Sequence, residues 1–225
     1  MSLTERLFRS LSPSRPLITH YDDAAGTRVE LSVATVANWA AKTANWLVDE
    51  FDVEPGDEVA VRLPAHWQTA GVLLGAWWCG AEVVDHSDDA RVTFVAPGAA
   101  VSGVTAVVAL DPMGRGLASP PPDGALDYLN EARLAGDNFS PLAPIPGDTP
   151  ALAGSTVDEV LAGVGSVPAG ARVLSTMEWT VPAGVLRGFV TPLAAGAHLV
   201  QVSHPDPAKL ADRRRAERTT VDLLD

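Results

Sequence analysis

The chain has 225 residues, 47% hydrophobic and 20% charged, with a formal net charge of −12 and a single cysteine. That length holds a real core in one large domain or two small ones. The acidic excess argues against non-specific binding to nucleic acid or to an anionic membrane, and one cysteine excludes an internal disulfide.

Residues 3–11 place Leu3, Leu7, Phe8 and Leu11 on one face of a short amphipathic helix. No long apolar stretch follows the early charges, so the start does not read as a secretory signal. No apolar run reaches the ~18 residues of a membrane span. Together with the lone thiol, this predicts a cytoplasmic protein. Residues 17–21 read as a strand, 22–26 as a turn and 27–31 as a returning strand. In this reading His20 points to solvent.

Ser32 is placed to cap a helix in which Val36, Ala40, Ala44, Leu47 and Phe51 form one stripe, flanked by Trp39 and Trp46. Glu54-Pro55-Gly56-Asp57 stops it with turn chemistry. Residues 59–61 form a short strand. Residues 67–79 form a helix apolar nearly all round, covered on both sides, with Cys79 as a buried small hydrophobe. Gly80-Ala81 ends it, and residues 82–84 are the next strand, giving a right-handed βαβ unit.

After it comes Asp85-His86-Ser87-Asp88-Asp89. The spacing matches no zinc or calcium pattern, so no metal is predicted. A polar loop at the carboxyl edge of a parallel sheet is still where ligands bind, which keeps His86 as a ligand-pocket candidate. Residues 92–95 and 104–110 are short apolar strands suited to a sheet covered on both faces. Residues 114–124 are a loop and 127–134 a helix. Residues 139–150 hold four prolines in an extended connection anchored by Phe139, Leu142 and Ile145. Ser155 caps a helix over 156–164, with Asp158 and Glu159 in its first turn. Further strands are read at 171–175, 197–202 and 219–224, and helices at 182–189 and 207–218. Arg213, Arg214, Arg215 and Arg218 make the last helix basic, diluted by Asp212, Glu217 and Asp222. This is read as a solvated face before a phosphate-binding one.

Three segments carry a resemblance: VELSVATVANWAAKTANWLVDEFDVEPGDEVAVRLP, GVLLGAWWCGAEVVD, and LRGFVTPLAAGAHLVQV at 186–202. They resemble the opening of the adenylate-forming enzymes, the acyl-CoA synthetases and their relatives. More narrowly, they resemble short bacterial proteins related to the N-terminal part of those enzymes. The resemblance implies an α/β fold of two sheet-and-helix lobes in one folding unit over 1–225. One lobe spans about 51–175 and the other about 12–50 plus 176–225.

It also implies AMP, ATP or CoA as ligands, though none is required. The family grips phosphates with a glycine-rich loop, S/T-G-S/T-T-G-x-P-K. In the matching place Gly154, Ser155 and Thr156 keep three small residues, while the later Gly, Pro and Lys are missing and Asp158-Glu159 bring negative charge. We read these three as a vestigial phosphate loop. Trp179 falls where the family lines its acyl pocket. The family's other nucleotide motifs and its catalytic lysine lie beyond the point matched by Asp225, which implies no catalytic residue in this stretch. Three functions then compete: a degenerate domain that binds a ligand or partner, a partial ligase completed by another polypeptide, and a structural module that forms a homodimer.

Overall fold

A computed structural model describes residues 1–100, 102–122 and 124–224. Two sheets organise it. Strands β1 (Pro16–Asp22) and β2 (Thr27–Ser32) form the hairpin expected from sequence. β1 then pairs in parallel with β11 (His198–Ser203), which pairs with β10 (Arg172–Ser175), which pairs with β12 (Val221–Leu223). The second sheet runs β7 (Ala125–Asp127), β6 (Thr105–Val107), β5 (Thr93–Val95), β3 (Glu58–Arg62), β4 (Glu82–Val84), β8 (Pro150–Leu152), β9 (Ser155–Thr156). Only the last pairing is antiparallel.

Helices α2 (Val33–Phe51) and α3 (Trp67–Cys79) pack against each other at the centre. The Ser32 hydroxyl accepts from the Thr35 amide at 3.2 Å and starts α2. Asp52, in the left-handed region at φ +50°, ends it. The apolar circumference of α3 is explained by its neighbours: every residue but Trp78 is buried. Helix α1 (Leu3–Phe8) lies on it, with the Thr4 hydroxyl donating to the Leu74 carbonyl at 2.5 Å. α2 approaches so closely that a Cβ on Gly75 would stand 2.3 Å from the Thr43 Cβ. One continuous core joins both sheets through these helices. A small second cluster, Tyr21, Leu174, Val200 and Val202, lies on the outer face of the first sheet against Leu210 of α8 (Pro207–Glu217).

Several local readings are corrected. His20 is buried, 1% exposed, because both faces of β1 are covered. Leu142 anchors nothing at 98% exposure, whereas Ile145 is buried. The strands at 92–95 and 104–110 shrink to the three-residue β5 and β6. The helix after Pro182 begins as α6 (Ala183–Val185), widens into a π segment (Leu186–Val190) and resumes as α7 (Thr191–Ala194). Pro192 has no amide to continue the α ladder, and the Thr191 hydroxyl donates to the Leu186 carbonyl at 2.8 Å. The arginines of α8 are spent on carboxylates: Arg213 on Asp23, Arg214 on Asp222 at 2.8 Å, Arg215 on Asp212. No helix among the described residues is long and apolar enough to cross a membrane.

Candidate functional site

Gly154, Ser155 and Thr156 sit at the edge of the seven-stranded sheet, where β8 turns back into β9. Ala153 at φ +43° and Gly154 at φ +86° make a two-residue turn, the shortest way to join antiparallel strands. The Ala153 amide donates to the Val83 carbonyl at 3.0 Å. The Gly154 amide donates to the Glu82 carboxylate at 2.5 Å. A backbone donor in the place of a phosphate cradle is thus already held by an acidic side chain.

Thr156, one residue after the predicted Ser155, caps α5 (Val157–Ala162). Its hydroxyl accepts from the Glu159 amide at 3.2 Å, and its own amide donates to the Glu159 carboxylate at 2.8 Å. Those bonds hold the Glu159 carboxyl below its usual range. Asp158 pairs with Arg6 at 2.5 Å. The two acids that break the glycine-rich pattern therefore serve a helix start and a bridge to α1.

Of the other two candidates, Trp179 lies in the core and His86 follows β4, the strand paired with β8. Trp179 is 2% exposed, with its ring centroid 4.5 Å from that of Phe189 and its indole against Gly188. His86 stands in solvent after β4, with its Nε2 3.8 Å from the exposed Asp88. Among the described residues, no group of three or more His, Cys, Asp or Glu is arranged to hold a metal ion.

The carboxyl ends of the two sheets meet at residues that sequence reasoning passed over. The Ser203 hydroxyl, at the end of β11, donates to the Ala65 carbonyl, just past β3, at 2.7 Å. His20 Nε2 lies 2.9 Å from the same hydroxyl. Because that hydroxyl gives its proton to Ala65, His20 donates from Nε2, and Nδ1 has no hydrogen-bond partner among the described residues. His66 caps α3, its Nδ1 accepting from the Gln68 amide at 3.1 Å. The carboxylate of the exposed Glu178 closes the seam by accepting from the Ala65 amide at 3.4 Å. Burial lowers His20 to about 4 and His66 to about 3. Both rings are neutral at physiological pH, and the seam is a packed joint. Its signal in the sequence is weak: His66 precedes a helix as caps do, and His20 shares a face with Ile18.

Comparison with solved structures places this arrangement. The chain matches an acyl-CoA synthetase from Brucella canis with a TM-score of 0.79 at 14% identity, over 100% of this chain and 47% of that one. It matches acetoacetyl-CoA synthetase from Streptomyces lividans at 0.74 and 19% identity, over 100% and 42%. It also matches the inhibitor-bound N-terminal domain of FACL13 from Mycobacterium tuberculosis at 0.70 and 17% identity, over 98% and 62%. The fold is that of the N-terminal part of acyl-CoA synthetases, and the chain spans about half the length of the first two of these structures. No family model matches. A Mycobacterium tuberculosis protein described as a TIGR03089 family protein is 45% identical over 225 residues, covering 92% of this chain and 91% of the relative.

Proposed function

Starting from the chain's membership of the TIGR03089 family and its acyl-CoA synthetase-like fold, we propose that it is a non-adenylating, ligand- or partner-binding version of that fold. One observation carries the reading: the turn between β8 and β9 is two residues long, with its glycine amide taken by Glu82. Adenylation needs several free backbone donors and a cation around the phosphates of ATP. Here the first charged side chains after that turn are Asp158 and Glu159, and both are already engaged.

The test is exchange of labelled pyrophosphate into ATP by the purified chain, across a panel of carboxylic acids. The reading expects none above background; sustained exchange overturns it.

A second reading, an interaction module, is supported by exposed apolar side chains. Leu142 is 98% exposed and lines an apolar groove with Val53, Pro55 and Phe139, and a contiguous apolar patch marks a contact surface. Light scattering during gel filtration separates a dimer from a monomer, and Leu142→Asp dissociates the dimer if this surface forms it.

A further inference from the structure

The seven-stranded sheet reverses its winding between β3 and β5. Helix α3 carries the chain from β3 to β4 on one side, while β5 and β6 lie on the other. In open parallel sheets, ligands bind outside the carboxyl ends of strands at such a reversal. A cavity of about 470 Å³ opens beside this one, past the ends of β5 and β6. That volume falls within the roughly 300–1,000 Å³ usual for small-molecule sites. Val107 and Ala109 line it from β6 and just beyond, and Pro97 and Gly98 from the chain after β5.

The remaining wall comes from a loop held in shape by side-chain hydrogen bonds. Asp111 Oδ1 accepts from the amides of Met113 at 2.9 Å and Arg115 at 3.1 Å. The Leu117 amide donates to Asp127 Oδ2 at 3.0 Å, and Asn130 Nδ2 donates to the same oxygen at 2.6 Å. Gly116 packs directly on the Asn130 amide, which a Cβ would approach to 2.7 Å. A wall already ordered in this way adds little entropy cost to binding.

The lining selects the ligand's chemistry. Among the described residues that form it, Asp111 is the one ionisable group, and Arg115 neutralises it at 3.0 Å. A phosphate or carboxylate entering here would lose its hydration without a free cation to replace it. The Pro120-Pro121-Pro122 wall offers flat apolar rings, which complement aromatic faces as in proline-rich recognition. Ser119 adds a hydroxyl. We infer that this cavity binds a small, neutral molecule carrying a planar aromatic ring, at a site separate from the β8–β9 turn.

The test titrates the ¹⁵N-labelled full chain with indole and, separately, with AMP. Indole is expected to shift the amides of Gly98, Ala109, Leu117 and Ser119 saturably, and AMP to leave them in place. Ala109→Leu, which fills the floor, abolishes the indole shifts. If that variant does not fold, Ser119→Trp on the exposed loop gives the same readout. Absence of saturable shifts at these amides, their survival in a folded cavity-filling variant, or displacement of indole by AMP overturns the inference. Pyrophosphate exchange by the same protein would overturn the non-adenylating reading and leave these shifts untouched.

Discussion

The imidazoles of His20 and His66 meet edge to face, with ring centroids 4.3 Å apart and planes at 71°. One ring comes from the five-stranded sheet and the other from the cap of α3, so the contact spans the joint between the lobes. Near neutral pH neither ring carries charge in the folded protein, because burial is the dominant influence on both.

Acid should therefore loosen the protein well above the carboxylate range. His20, His66 and His198 are lowered from 6.5 to about 4, about 3 and about 4. The unfolded chain takes up protons as pH falls below 6.5, while the native chain does so only near 4. Stability is thus full above 6.5 and declines through that window. The slope is about 1.4 kcal/mol per pH unit for each proton involved. Urea midpoints measured from pH ~7.5 down to ~4.5 should fall steadily, and His20→Asn with His66→Gln should flatten the decline. An unchanged slope in the double variant would refute this account.

Gly75→Ala should destabilise by about 1–3 kcal/mol, the usual cost of overpacking. The added methyl has backbone and the Thr43 Cβ in its way, 2.3–2.8 Å off, with no flexible side-chain end to yield. A melting temperature equal to that of the parent would show that α2 and α3 can separate freely.

Glu217 pins the last helix. Its carboxylate accepts from the Tyr21 hydroxyl at 2.6 Å and Arg28 Nε at 2.9 Å, and it pairs with Arg172 at 3.3 Å. Its carboxyl is held below the usual range, as these hydrogen bonds outweigh burial. Glu217→Gln is expected to cost about 1–3 kcal/mol, since the buried Tyr21 hydroxyl and two partly exposed arginines lose a charged acceptor. It should also expose α8 to trypsin after Lys209. Adding Tyr21→Phe should cost less than the two single changes summed, because they share one network. Strict additivity would contradict the network.

Glu82→Ala removes the acceptor of the Gly154 amide. Gly154 is exposed, so water takes the freed amide and the expected loss is about 0.5–1.5 kcal/mol, the net value of one hydrogen bond. Freeing that amide should not create a nucleotide site, so ATP with magnesium should leave the variant's melting temperature unmoved. A shift that rises with ATP concentration would mean the turn opens into a cradle after all.

Much of the architecture could be read before any coordinates, and for definite reasons. Ser32, the Pro55-Gly56 turn and Gly80 are local punctuation whose physics does not depend on distant contacts. They fixed α2, β3 and α3 to within a residue or two. The proline-rich connection misled because Leu142 and Ile145 look alike in sequence; only the tertiary surroundings bury one and expose the other. His20 misled for the same reason, since alternation cannot tell a strand covered on both faces from one that is half wet. The three small residues at 154–156 were legible as a departure from a loop pattern. That a carboxylate 72 positions away would occupy the glycine amide was not. The aromatic-binding cavity left no periodic trace, being assembled from loop segments that follow different strands.

The pairing of β1 with β11 has a consequence for how the chain reaches its shape. Thr19 and His198 touch across 179 positions, in parallel strands at the middle of one sheet. Such remote contacts make for slow acquisition of structure, because a long loop must close before any stabilisation follows. During synthesis the β1–β2 hairpin waits with an unpaired edge until β11 has left the ribosome, a period in which it is open to association with other nascent chains.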